Sequence, residues 1–255
     1  MNRSLMLGCV VTIVLLAGGT AKADDFKGFY GGGYVGGAFN KSDAKTTTIF
    51  SPTGYFAISS PPAIAPVGAQ KPNASGFTGG GQAGYNFQTG NVVLGFEFDF
   101  GSMSVSGSKT GTDVYPCCSP TTFTVKQTVK TDWLLTARPR LGFVAGRWLF
   151  YGTVGLAATN INYQEVFTDT FATAHENGGV KRTQKGWTAG GGVEYLAGEH
   201  WTVKGEYLYA DVGTVRATST NLTAFSPPIP FPTNTFTHTT DLRMNLMRFG
   251  FNYRF

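Results

Sequence analysis

The chain closes on Arg248-Phe249-Gly250-Phe251-Asn252-Tyr253-Arg254-Phe255, where every second residue is aromatic and those between are polar or small. Apolar positions on a helix face recur every three or four residues, so a strict period of two means a strand with one greasy side and one wet side. The same pattern returns earlier. Residues 92–102 place Val92, Leu94, Phe96, Phe98 and Phe100 on one parity, and Glu97 and Asp99 on the other. Eight stretches carry strand character: 29–40, 76–88, 92–102, 131–143, 148–159, 185–196, a seventh opening at Trp201, and 241–255. The first is the faintest, being dominated by glycine.

The connections alternate in length. Short turns, such as Thr89-Gly90-Asn91, Ala145-Gly146-Arg147 and Ala197-Gly198-Glu199-His200, follow the second, fourth and sixth stretches. Long polar segments at 41–75, 103–130, 160–184 and 212–240 separate the others, and the Pro, Thr and Ser of the first and last predict mobile loops. Loops of that length are uncommon in compact soluble domains. They are usual on one side of an outer-membrane barrel, whose even strand number returns both termini to the short-turn, periplasmic side.

The beginning of the chain fits export. Arg3 precedes an apolar run from Leu5 to Leu16, and Ala21-Lys22-Ala23 forms a cleavage signal before Asp24, so 1–23 reads as a secretory leader and 24–255 as the barrel domain. Cys9 lies too early in the apolar run to be a lipidated cysteine. The chain from Asp24 onward carries 18 basic and 15 acidic residues, a balance too mild for a nucleic-acid partner. Charged residues make up only 14% of the chain, against about 25% in a soluble domain. The outer surface is therefore expected to meet something other than water.

Hydrocarbon offers no partner to a backbone N–H or C=O, so a sheet that crosses it must close on itself. The expected fold is all-β, an eight-stranded antiparallel transmembrane up-and-down barrel. Trp148, Trp201, Phe87, Tyr85, Phe143 and Tyr253 lie near short turns, where amphipathic rings suit the membrane interface. The inward parity holds Glu97, Asp99, Glu194 and Glu206 with Arg138, Arg140, Lys204 and Arg248, while Arg254 reads as a residue of the wet rim. Eight strands leave a lumen that side chains can fill, and near-balanced charge predicts a cross-lumen network. Pro139 sits mid-strand and lacks a ladder donor, which predicts a bulge between Arg138 and Arg140. Cys117 and Cys118 are adjacent, and an oxidising compartment would allow a loop disulfide between them. Two sulfurs without a nearby histidine make a poor metal site; neither metal nor cofactor is expected.

These residues resemble a known family. Gly31-Gly32-Gly33-Tyr34-Val35-Gly36-Gly37, Gly79-Gly80-Gly81-Gln82-Ala83-Gly84-Tyr85-Asn86 and Gly95-Phe96-Glu97-Phe98-Asp99 are similar to segments of the opacity-type porins. So are the run from Gly186 to Tyr195 and Lys204-Gly205-Glu206-Tyr207-Leu208-Tyr209-Ala210-Asp211. The nearest branch is that of the outer-membrane immunogenic proteins. The resemblance covers the chain after the leader and implies an eight-stranded barrel of the Gram-negative outer membrane, a surface antigen exposed through its loops. No further domain is expected after it. Its partners would be outer-membrane lipids and lipopolysaccharide, the barrel-assembly machinery through the strand ending at Phe255, and a host or environmental ligand at the long loops.

A surface barrel without catalysis needs nothing beyond these features. The alternative is a small porin-like pore for ions or solutes, which paired charges across the lumen would obstruct. A Ser-His-acid hydrolase needs a base within hydrogen-bond reach of its nucleophile, and the histidines are poorly placed: His175 in a long loop, His200 in a short turn, His238 followed by threonines. Haem capture by His175, His238, Tyr55, Tyr115 and Tyr163 is a further arrangement, although each reads more simply as a solvated loop residue.

Overall fold

The structure, a computed structural model, describes residues 26–255; the expected leader and its cleavage site lie outside them. Eight long strands close a ring: β1 (Gly28–Lys41), β4 (Ala74–Thr89), β5 (Val92–Val114), β6 (Thr122–Ala145), β7 (Trp148–Asp169), β8 (His175–Leu196), β9 (Trp201–Ser219) and β12 (Phe236–Arg254). Each is antiparallel to its neighbours, and β12 closes onto β1 from Tyr30↔Arg254 to Lys41↔Arg243. The ladder hydrogen bonds therefore run all the way around. Gly90 and Gly146 each take φ of +58° in the short turns β4–β5 and β6–β7, a backbone that glycine adopts without strain.

Parity divides the wall as the alternation requires. Phe96 and Phe98 are 50% and 45% exposed on the outside, while Glu97 and Asp99 between them are 2% and 0% exposed. The outward apolar band runs on β5 from Val92 to Phe100 and then gives way to Ser102, Ser104, Ser106 and Ser108. Nine residues of strand match the span needed to cross a hydrocarbon layer. Aromatic pairs mark both rims. Tyr85 with Phe87, Trp148 with Tyr195, and Trp201 with Tyr253 lie toward the short turns, whereas Phe100 with Trp133 and Trp187 with Tyr209 bound the other side. Such girdles belong at lipid–water boundaries.

Beyond the upper girdle the barrel does not dissolve into loops. β5 and β6 pair onward to Val114↔Thr122, and β7 and β8 pair up to Thr168↔His175, so segments expected as long polar loops are mostly walls of the same cylinder. The 41–75 segment is ordered too. β2 (Ala44–Thr48) carries on along β12 where β1 leaves off, and β3 (Ala69–Gln70) pairs with β2. Helix α1 (Ser60–Val67) packs against β2, β5 and β6, covering the gap above β4. Short strands β10 (Thr223–Ala224) and β11 (Ile229–Pro230) fold over the end.

The wall above the band reverses its chemistry. Phe123, Val125 and Val129 now point inward and Lys126 and Lys130 outward. On β6 the switch occurs at a bulge between Lys130 and Leu134, where the inward parity passes from Val129 and Thr131 to Leu134 and Thr136. On β9 it occurs near Gly213, whose φ of +75° accompanies the register shift against Asp241 and Arg243. The bulge expected at Pro139 is not there. Ala137↔Leu156 and Arg140↔Thr153 keep one register, and the Thr153 hydroxyl donates to the Pro139 carbonyl at 2.8 Å across the same pair of strands, so the ladder passes the proline without an inserted residue.

The apolar band predicts a graded cost. Phe96→Arg, at mid-band, should lose about 2–4 kcal/mol of stability in lipid vesicles, whereas Ser106→Arg above the girdle should change it little. Denaturant unfolding of the vesicle-inserted barrel measures both.

Candidate functional site

The lumen is stacked in layers. Nearest the short turns, Phe26, Val93, Val144, Leu149, Tyr151 and Leu196 form a small apolar floor. Above it lie Glu97 and Asp99 of β5, Arg138 and Arg140 of β6, Glu194 of β8, Lys204 and Glu206 of β9, and Arg248 of β12, all at most 5% exposed. Alternation places them: each sits on the inward parity of its strand, and the ring brings residues more than a hundred positions apart into contact.

Arg138 is the hub. It donates to Glu97 at 2.8 Å, to Asp99 at 2.9 Å and to Glu206 at 3.1 Å. Lys204 donates to both Glu97 oxygens at 2.8 and 2.9 Å, Arg248 to Asp99 at 2.9 Å, and Arg140 to Glu194 at 3.0 Å. Neutral residues that sequence reasoning had not singled out complete the shell. Tyr30 and Tyr151 donate to Glu97 and Glu206, at 2.9 and 3.0 Å, and Thr202 and Asn252 donate to Glu194 at 2.5 and 2.9 Å. The Arg140 guanidinium lies over the Tyr30 ring and that of Arg248 over Tyr34, 4.6 and 4.3 Å from the ring centroids. Glycine makes room for these rings, since a Cβ on Gly84 would overlap the Tyr30 phenol. Arg254 lies apart, donating to the Glu199 carbonyl at 2.5 Å beside the last short turn. Cys117 and Cys118 form a vicinal disulfide in the β5–β6 connection, far from this layer in sequence.

Over the charges sits a broad apolar plug that includes Met103, Leu134, Ile161, Leu208, Val212, Leu242 and Met244. A polar layer follows, built from Thr46, Gln127, Glu165, Glu176, Ser219 and His238. Phe56, Ile64, Phe123, Phe167, Leu222 and Phe236 then cap the end as a second apolar cluster. The capping loops are tied down by Tyr55 and Tyr115, whose hydroxyls both donate to Asp169, at 2.5 and 3.0 Å. Burial and that carboxylate push both phenols above their ordinary range. The picture of solvated loop residues is thus corrected: Tyr115, Tyr163 and His238 are 3%, 1% and 0% exposed, while His175 stands outside them at the start of β8. His238 and His175 do not converge on a haem.

Continued alternation through 122–131 and 160–169 was the available signal for this upper layer. Its apolar side faces in, opposite to the membrane part, so it lacks the outward aromatic band that marks the other spans. Glu165 and Glu176 lie within the layer without a lysine or arginine among the ion partners of the described residues. Burial, with the Glu176 carboxylate beside it, pushes Glu165 up to about 11. Glu176, although also buried, is held below its ordinary value by His238 and Glu165 beside it and by the Ser219 hydroxyl. Ser219, His238 and Glu165 even line up in the order of a hydrolase triad, with Ser219 Oγ 3.3 Å from His238 Nε2 and Glu165 3.6 Å from Nδ1. However, the Ser219 hydroxyl donates to Glu176 instead, and the imidazole is wholly buried.

A closed eight-stranded ring with a lipid-type outer band and a charge-filled lumen defines an integral barrel of the outer-membrane class. Residues 9–255 match the family model described as outer membrane protein beta-barrel domain, and the chain belongs to that family. It is 35% identical over 184 residues to the 31 kDa outer-membrane immunogenic protein of Brucella melitensis, covering 71% of this chain and 68% of that one. It is 29% identical over 136 residues to a 22 kDa outer membrane protein of Rhizobium leguminosarum, 53% of each chain. Among solved structures, OprG of Pseudomonas aeruginosa aligns over 91% of this chain and 99% of its own, at 12% identity and a TM-score of 0.39. The OmpT protease of Escherichia coli aligns over 89% and 96%, at 10% identity and 0.42. At those scores neither likeness says anything about what this chain does.

Removing the hub should be costly because it leaves three carboxylates facing one another. Arg138→Met is expected to lose about 3–5 kcal/mol. Adding Glu206→Gln and Asp99→Asn should restore part of that loss, read from urea unfolding in detergent micelles.

Proposed function

We propose that this outer-membrane barrel acts as a structural and surface-interaction protein that neither conducts solutes nor catalyses a reaction. The observation that carries this reading is the filled lumen: floor, charge network, apolar plug, polar layer and cap succeed one another along the axis. A solute would have to break at least Arg138 from its three carboxylates and then cross the plug. The relatives carry the names of outer-membrane and immunogenic proteins rather than of enzymes. Among the described residues, the serine–histidine contact near a carboxylate, Ser219 with His238, is shut away from substrate.

The orientation belongs to the same proposal. Both ends of the described chain lie at the short-turn end, which faces the periplasm in this reading, so that the tall hairpin end stands outside the cell. Phe255, on the outward face of the closing strand, is then available to the barrel-assembly machinery. Basic residues cluster on the outer wall just above the upper girdle, including Lys41, Lys71, Lys130, Lys185 and Arg243, all exposed. Lys41, Lys71 and Arg243 line a cleft of about 550 Å³ beside Tyr209. At that height a lipopolysaccharide would present its phosphates, and guanidinium and ammonium groups suit them. The exposed hairpins above are the surface offered to an external ligand.

Planar bilayers test the lumen. The wild-type barrel should give no large steady single-channel currents, while Arg138→Ala combined with Arg140→Ala and Met244→Ala, which opens both the network and the plug, should raise conductance. Large steady wild-type currents would reverse the proposal in favour of a pore. A second measurement addresses the partner: Lys41→Glu, Lys71→Glu and Arg243→Glu together should reduce the lipopolysaccharide that copurifies with the folded barrel by several-fold.

A further inference from the structure

We infer that Glu165, Glu176 and His238 form a binding site for a divalent first-row transition-metal ion, with zinc as the representative, inside the upper barrel. The three side chains come from β7, β8 and β12, and each offers one donor atom within 4.8 Å of the others. His238 Nε2 is 3.5 Å from Glu176 Oε1, and Nδ1 is 3.6 Å from Glu165 Oε2. Donors about 2 Å from a zinc ion in tetrahedral array are roughly 3.3 Å apart; Glu176 already stands near that separation on the Nε2 side, whereas Glu165 faces Nδ1 and has to turn toward Nε2, from within 4.8 Å, to complete the set. Ser219 Oγ, 3.3 Å from Nε2, borders the fourth position.

A second observation points to a cation rather than to an ordinary polar cluster. Glu165 is 1% exposed, and neither of its oxygens accepts a hydrogen bond among the described residues. One oxygen of Glu176 is also without a donor. Buried carboxylates normally gain donors or a counter-ion, and here the described ion partner of both is one histidine. Thr46, Gln127 and Tyr163 surround them without charge, and Gln127 Nε2 is already committed to Thr46 and the Gly68 carbonyl. A proton can relieve such a pair; a dication relieves both carboxylates at once and also uses the imidazole.

The donor set narrows the ion. Two carboxylates and one imidazole, with no thiolate, suit zinc, manganese, iron(II) or nickel, and argue against copper(I). Thr46 Oγ1 lies 3.1 Å from Nδ1, which fixes the ring and leaves Nε2 as the donor toward Glu176 and Ser219. Gly178 sets the ring's place, because a Cβ there would collide with Nε2. An ion in this layer would pin three strands of the section that stands above the band.

The site is sealed, so the ion is offered during folding. The chain from Asp24 to Phe255 is refolded into detergent micelles with and without zinc, freed of excess metal by gel filtration, and analysed for bound zinc. Heat-modifiable gel mobility reports folding in every sample. About one zinc per folded chain is expected, with loss of that zinc in Glu165→Gln, His238→Gln and Gly178→Ala, and retention in His175→Ala with His200→Ala. Cobalt(II) refolded in place of zinc should give a visible absorption band that disappears in the same three variants. A folded wild type without zinc or a cobalt band would overturn the assignment. So would zinc retained in full by folded Glu165→Gln and His238→Gln, or lost on removing the two exposed histidines. If Glu165→Gln and His238→Gln do not fold, Gly178→Ala and the wild-type cobalt spectrum still decide.

Discussion

Every other feature of this protein depends on the pairing of β12 with β1. Without that seam, two strands would offer unpaired N–H and C=O groups to hydrocarbon, where nothing can satisfy them. With it, the backbone is satisfied around the whole circumference, and side chains are left to meet two different environments. Outside, Phe96, Phe98, Phe249 and Phe251 need only be apolar. Inside, the ring gathers Glu97, Arg138, Lys204 and Arg248 into one small volume, where each is tolerable because the others are present.

The layered interior reflects how an eight-stranded ring must be filled. Its bore accepts side chains but leaves no excess space, so polar and apolar residues segregate along the axis. The charge network sits where the exterior is greasy. The apolar plug begins behind the upper girdle and, with the cap, continues upward where the wall outside is wet and a conventional core becomes affordable. Helix α1 and strand β2 complete that upper part by standing in for the top of β1 and β4, neither of which reaches it.

The membrane-spanning half was legible in the chain because its signal is doubled, with aromatics on one parity and ionised residues on the other. The eight charged lumen residues could be picked out from 92–102, 131–143, 185–196 and the last two strands. The upper half was misread as long loops. Its alternation is equally regular in Phe123, Val125, Gln127, Val129 and in Tyr163, Glu165, Phe167, but the apolar parity there points inward. The bulge before Leu134 and the turn of backbone at Gly213 also change which parity is inward, and nothing in the local sequence announces either. Pro139 misled for the opposite reason, since the ladders on both sides keep their register across it and no bulge forms. His238 could not be joined to Glu165 and Glu176 from sequence, because only ring closure makes them neighbours.

The upward continuation of β5 through β9 has a consequence for whatever grips the protein from outside. A binder on those walls meets every second residue of several adjacent strands, side chains contiguous in space yet scattered along the chain. Short peptides copied from 103–130 or 160–184 would carry both faces at once and hold neither in place. Recognition of this surface therefore belongs to the folded cylinder, and exchanging outward residues can reshape it while the inward ones, and so the architecture, stay fixed.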